Sequence, residues 1–136
     1  MKNPNLVLAA AFVVAGAMGA WGIHGLEAQE QAPFKRTILQ TQDLSTPGRA
    51  AVVVLLEAQP NAVMDRHTHP GEEIGYVLEG TIVVEVEGKP PLSLKAGQTY
   101  IVEAGKVHGG KVGGNAARIL ATYVVEKGKP FATAVK

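Results

Sequence analysis

The sequence predicts an all-β domain of the sandwich or barrel type. Three observations support this: short Val-, Ile- and Leu-rich runs recur from residue 37 to residue 125, 16 Gly and 8 Pro interrupt them, and no window sustains a helical period. Residues 29–35 show no pattern and read as a lead-in, and residues 37–41 as a short strand. Pro47-Gly48 breaks the chain before residues 51–58, a nearly continuous Val/Leu run expected to be buried on both faces. After Pro60-Asn61 come strands at 63–69 and 73–78, then Gly80, and then 82–87, where Ile82, Val84 and Val86 alternate with Val83, Glu85 and Glu87. Gly88-Lys89 turns the chain back, and 92–94, 99–102, 106–108 and 119–125 complete the series. Residues 126–136, with Gly128 and Pro130, read as an irregular strand or a loose tail. There is no internal repeat.

Charge and composition exclude several functions. Lys+Arg 13 against Asp+Glu 12 gives a net charge of +1 in a chain of 136 residues, which argues against an electrostatic grip on nucleic acid or anionic lipid. With no cysteine, disulfides, thiol catalysis, Fe–S clusters and Cys-zinc sites are excluded. Ser45 and Ser93 stand in no nucleophile-elbow context. The amino terminus has the layout of a secretory signal peptide: Met1-Lys2, an uncharged apolar run over residues 6–23, then polar residues from Glu27. Cleavage after Ala28 would leave residues 29–136 as one domain, and Gly19 preceded by Ala17 is a second small-residue match. The run is also long enough to remain as an uncleaved anchor. Either way the folded part is expected outside the cytoplasm, periplasmic or secreted. No twin-arginine pair precedes the run, so the chain is expected to cross unfolded and take its metal afterwards.

The chemistry gathers at His67-Thr68-His69-Pro70-Gly71-Glu72-Glu73 and at His108. In a strand His67 and His69, at i and i+2, point the same way, so their ring nitrogens can share one ion. A reversal at Pro70-Gly71 would return Glu73 on an adjacent strand to the same face, adding an oxygen ligand. Alternation then points Glu72 away and sends Gly75 and Val77 inward with Glu73, leaving a gap at Gly75 beside the metal. Ile74, Tyr76 and Leu78 are expected against another layer. The stretch from His108 through Gly109, Gly110 and Lys111 to Gly114 superficially looks like a phosphate cradle, but no helix pattern follows it, and a flexible hairpin is expected. Arg66 is expected to face away from His67, while Arg49 and Arg118 cannot be oriented from the pattern. The remaining histidine, His24, lies in the expected leader.

His67-x-His69, three residues, Glu73, six residues and Gly80 resembles the first motif of the cupins, with Asn61 where that motif opens on glycine. Gly97, then Gly105, two residues and His108 is similar to the second motif, with Glu103 in place of its usual Pro and Val112 where Asn is frequent. The chain therefore resembles a small single-domain cupin of the type-2, RmlC-like superfamily, over a core of about residues 50–126. The resemblance implies a double-stranded β-helix, or jelly-roll, barrel. It also implies one divalent ion per chain, held by His67, His69, Glu73 and His108, with Gly80, Gly97 and Gly105 as structural glycines. Jelly rolls of this size also imply a homodimer paired through edge strands.

Three nitrogens and one oxygen leave one or two positions on an ion for water, dioxygen or a chelating substrate, the arrangement of a catalytic site rather than a closed structural one. Mn, Fe, Zn, Ni or Co all suit this ligand set, and export favours Mn, Zn and Ni over Fe(II). Two functions follow. One is a metal-dependent enzyme of dioxygenase, isomerase or decarboxylase type, with Glu73 as ligand and proton acceptor, acting on a small oxygen-chelating molecule. The other is a non-enzymatic small-molecule or metal-binding protein, or an accessory partner of an enzyme.

Overall fold

The chain is seen in a computed structural model that describes residues 32–136; the apolar run 6–23, both expected cleavage positions and His24 lie outside the described residues. Ten strands and no helix occur among the described residues. The strands are β1 (Phe34–Asp43), β2 (Arg49–Ala58), β3 (Val63–Thr68), β4 (Gly71–Glu79), β5 (Thr81–Val86), β6 (Leu92–Lys95), β7 (Thr99–Val102), β8 (His108–Val112), β9 (Ala117–Glu126) and β10 (Thr133–Ala134). They form two five-stranded antiparallel sheets, ordered β1-β2-β9-β4-β7 and β10-β3-β8-β5-β6. This is a double-stranded β-helix, in which the chain repeatedly passes from one sheet to the other.

The core follows from alternation on facing strands. Across the first sheet Leu56, Ile119 and Val77 stand in register, as do Val54, Ala121 and Gly75. Across the second, Ile82 pairs with Leu94 and Val112. Val77 and Val102 are the large side chains sealed completely between the layers. Each fully buried aliphatic side chain contributes about 1.5–3 kcal/mol, so this double layer is the main source of rigidity behind the site. Strand β2 buries only one face fully, through Ala50, Val54 and Ala58; its other face is half covered. The expectation of burial on both faces fails because nothing among the described residues packs over the outside of this sheet. For the same reason Ile74, Tyr76 and Leu78 are not against a second layer: each is about 40% exposed on the outer face.

Three further differences have local causes. His108 begins a strand rather than ending one, and Gly109 and Gly110 lie within β8 rather than in a hairpin loop. A Cβ on Gly110 would meet the Val83 carbonyl oxygen at 2.2 Å, and one on Gly109 the Met64 carbonyl oxygen at 2.7 Å. These glycines permit close strand packing, although in a sequence they read as loop residues. Second, Pro70-Gly71 does not fold β4 back beside β3; it carries the chain from one sheet to the other, where Gly71 pairs with Val125. A Cβ at Gly71 would lie 1.8 Å from the Val124 carbonyl oxygen, so only glycine allows that crossing. Third, β3 carries an irregularity between Met64 and His67, a bulge that breaks strict alternation ahead of the first histidine.

The departures from the cupin motifs are accommodated. Asn61 adopts φ 60°, the left-handed conformation that Asn tolerates better than other side-chain-bearing residues, and donates its N–H to the Gly113 carbonyl at 2.9 Å. Gly80, Gly97 and Gly105 all have positive φ, between 72° and 89°. At Glu103 the turn lacks proline, but Gly105 N–H donates to the His69 carbonyl at 3.0 Å and Lys106 N–H to the Glu103 carbonyl at 3.2 Å. Lys89 also pairs with the Glu103 carboxylate. Asn61→Gly is expected to change unfolding free energy by less than about 0.5 kcal/mol, and Asn61→Val to lower it by about 1–2 kcal/mol. Urea unfolding checks this; equal stability of the two variants would contradict it.

Candidate metal centre

Four side chains from four places in the chain meet between the sheets. His67 comes from β3 and His69 from the crossing that follows it; Glu73 reaches in from β4 on the opposite sheet, and His108 opens β8. Glu73 thus faces the histidines across the barrel and does not share a sheet face with His67. One ligand-type atom from each lies within 4.8 Å of every other. His67 Nε2 is 3.1 Å from His69 Nε2, His108 Nε2 is 3.0 Å from Glu73 Oε2, and His69 Nε2 is 3.4 Å from the same oxygen. Ligands at about 2.0–2.2 Å from a common ion stand roughly 3–4 Å apart. His69, Glu73 and His108 are buried and His67 is half-buried.

Backbone carbonyls decide what these atoms can do. His67 Nδ1 donates to the Asp65 carbonyl at 2.8 Å, His69 Nδ1 to the Phe131 carbonyl at 2.7 Å and His108 Nδ1 to the Lys106 carbonyl at 2.9 Å. A carbonyl only accepts, so all three rings carry their proton on Nδ1 and aim an Nε2 lone pair into the cluster. In the neutral rings, three lone pairs and a carboxylate oxygen then face one another with no donor among them. Such a set requires positive charge, from protons or from a cation, and it fits a divalent ion of the Mn-to-Zn series.

Two residues that the motif reading missed complete the setting. Tyr100 on β7 donates its hydroxyl to Glu73 Oε1 at 2.7 Å, leaving Oε2 turned to the histidines. The gap expected at Gly75 is filled by this ring: a Cβ there would meet Tyr100 ring atoms at 2.1 Å. Gly75 and Val77 therefore lie behind the site, and Tyr100 forms its wall. Tyr123 on β9 stands opposite Glu73 and packs 4.7 Å from His69, with Phe131 of the tail against both. The alternation of residues 99–102 and 119–125 already places both tyrosines on inward faces, a signal legible once the strands are set.

Burial pushes the Glu73 carboxyl up, but hydrogen bonds from His108, His69 and Tyr100, the two rings donating only when Nε2 also carries a proton, outweigh it and hold the group far below the usual carboxylate range. His108 is lowered by burial and raised more strongly by the Glu73 carboxylate, for a net rise. Burial lowers His67. Burial and the Glu73 charge raise Tyr100 and Tyr123, so both remain hydroxyl donors at neutral pH. Beside the cluster opens a cavity of about 550 Å³, walled by Phe34, Leu56, Met64, Ile119, Tyr123 and Phe131.

The fold and this constellation define a jelly-roll barrel whose mouth holds a histidine-rich cluster able to take a metal ion. The profile of the Cupin_2 family, a cupin domain, matches residues 54–126, more than half of the chain, and the protein belongs to that family. The HTH-type transcriptional regulator PuuR of Escherichia coli (strain K12) is 40% identical over 63 residues, 46% of this chain and 34% of the regulator. The Shigella flexneri regulator of the same name matches equally, so this chain spans about a third of the length of these curated relatives. Among solved structures, the DMSP lyase DddQ from Ruegeria pomeroyi superposes with a TM-score of 0.65 at 20% identity, over 81% of this chain and 55% of that one. A double-stranded β-helix protein from Klebsiella pneumoniae gives 0.62 at 25% identity, over 78% and 88%. The polyketide cyclase RemF from Streptomyces resistomycificus gives 0.61 at 24%, over 76% and 72%. The lyase and the cyclase establish the shared fold.

In chelator-stripped protein the Glu73 contribution carries a definite sign. Its folded value is depressed, so its stabilisation is present above the ordinary value of 4.5 and lost as pH falls through the folded value. Wild type should therefore lose stability more steeply than Glu73→Gln between about pH 5 and pH 2. Urea midpoints measured along that range check this, and parallel curves would contradict it.

Proposed function

We propose that the protein is a metal-dependent enzyme acting on a small oxygen-chelating molecule, with His67, His69, Glu73 and His108 holding one divalent ion. The observation that carries this reading is the set of three Nδ1–H bonds to carbonyls, which turns three Nε2 lone pairs and Glu73 Oε2 toward one another at the edge of a cavity sized for a small ligand. A bound ion supplies Lewis-acid polarisation of a substrate oxygen. The residues supply the rest. The carbonyls of Asp65, Phe131 and Lys106 orient the rings; the Tyr100 hydroxyl donates to Glu73 Oε1 and so fixes which oxygen faces the ion. Tyr123 and Phe131 pack against His69 and exclude water from that side. Glu73, which accepts the Tyr100 hydroxyl at 2.7 Å, is the proton acceptor of this reading. Export to the periplasm belongs to the same proposal and favours Mn, Zn or Ni as the ion.

A second reading is a ligand-sensing or accessory domain without turnover, favoured by the 40% identity to part of a transcriptional regulator. Oxygen uptake and product analysis of the metal-loaded protein with flavonols, β-diketones and small keto acids separate the two. Turnover supports the enzyme; saturable binding without turnover supports the sensor.

The purified protein is expected to carry close to one divalent ion per chain, to lose it in His67→Ala and His108→Ala, and to melt at a lower temperature after chelation. Elemental analysis and thermal melts check this. Equal metal in wild type and both variants would overturn the ligand set.

A further inference from the structure

The four arginines among the described residues differ in one respect. Arg49 pairs with Glu126, Arg66 with Glu87 and Arg118 with Glu79. Arg36 has no carboxylate partner among the described residues; its Nη2 donates to the thioether sulfur of Met64 at 3.2 Å. A thioether is a weak acceptor and carries no charge, so the guanidinium is held in place without being neutralised. It is exposed on the edge strand β1, at the rim of the cavity rather than inside the barrel. Arg36 stands opposite Leu56 in the β1–β2 register and shares a face with Phe34, and both of those side chains pack on the buried core. That face makes Arg36 part of the lining, at the rim, of the cavity that contains His67, His69, Glu73 and His108.

The register also sets the order of residues along the wall. Met64 precedes His67 by three residues on β3, so the guanidinium lies farther along the same wall than the metal-site histidines. Its charge is felt at Tyr123, which packs on His69. The wall between is apolar, formed by Phe34, Leu56 and Ile119. Of the other charged side chains on the wall, Arg66 is occupied by Glu87, Glu73 belongs to the histidine cluster, and Asp65 and Lys111 oppose each other in sign.

We propose that Arg36 is the anion anchor of this cavity, and that the ligand is a short-chain acid with chelating oxygens at one end and a second carboxylate at the other that docks on the Arg36 guanidinium. The proposal rests on the metal-site reading above and assigns its substrate class. A planar guanidinium takes a carboxylate through two parallel N–H bonds, which a lysine cannot reproduce. The apolar wall admits a hydrocarbon spacer and gives no hydrogen bond to an uncharged polar end.

The test compares 2-hydroxyglutarate with 2-hydroxyvalerate, which share a five-carbon chain and a chelating hydroxy-acid end and differ in the far carboxylate. Calorimetric affinities are measured on metal-loaded wild type, Arg36→Gln, Arg36→Lys and Arg118→Gln, with the ion content of each determined by elemental analysis. Wild type is expected to prefer 2-hydroxyglutarate by about tenfold or more. Arg36→Gln should abolish that preference while keeping its ion and its affinity for 2-hydroxyvalerate. Arg36→Lys should retain a fraction of it, and Arg118→Gln, which removes a charge from the outer face, should keep it whole. A preference that survives Arg36→Gln, or no binding of either probe to ion-loaded wild type, overturns the anchor and leaves the metal site standing. Failure of wild type to take up an ion overturns both.

Discussion

Everything at this site depends on three backbone carbonyls. Those of Asp65, Lys106 and Phe131 each take the Nδ1–H of one histidine, and each bond settles which nitrogen of that ring is left as a lone pair. Two of the three are local, spanning two residues within the strand or turn that bears the ring. The third ties His69 to a tail residue 62 positions away. The tail is therefore part of the site: Val135 N–H bonds the Arg66 carbonyl, and β10 pairs with β3 beside His67. A cluster of acceptor atoms facing one another is electrostatically unfavourable without positive charge at its centre. The fold holds it together through ring-to-backbone hydrogen bonds.

The two sheets divide the work. One contributes the imidazoles of His67 and His108, paired directly across β3 and β8. The other contributes Glu73 with its two tyrosine neighbours, and the crossing at His69-Pro70-Gly71 joins them. Close approach of backbone is what makes this geometry available, and glycine at 71, 75 and 110 permits it. At Gly75 the consequence is chemical: removing the side chain lets the Tyr100 ring lie against the strand and reach Glu73. What would otherwise be space beside an ion is instead a hydrogen-bond donor that turns the carboxylate.

Much of this was legible in the chain. Period-two patterning located most strands, because one face of each is buried and side chains there must alternate. The His-x-His pair and the glutamate four residues beyond it stood out because no structural need produces that spacing. The inward direction of Glu73, Gly75 and Val77 followed from the same alternation. Other features depend on contacts between segments distant in sequence and left no local trace. Gly109 and Gly110 read as a loop, since glycine signals a turn unless a neighbouring strand is known to press against it. The crossing at Pro70 read as a hairpin because a turn residue does not say which sheet receives the next strand. Tyr100 was recoverable from alternation within its short strand. Arg36 was not: its significance lies in lacking a carboxylate partner and in facing a cavity assembled from both sheets.

The orientation of the three rings can be observed directly. Long-range 1H–15N correlation spectra of zinc-loaded protein with labelled histidine report, for each imidazole, which nitrogen bears hydrogen and which bears the metal. Three rings protonated at Nδ1, each with a zinc-shifted Nε2, are the predicted result. A zinc-loaded protein in which any of His67, His69 or His108 keeps hydrogen on Nε2, or coordinates through Nδ1, would contradict it.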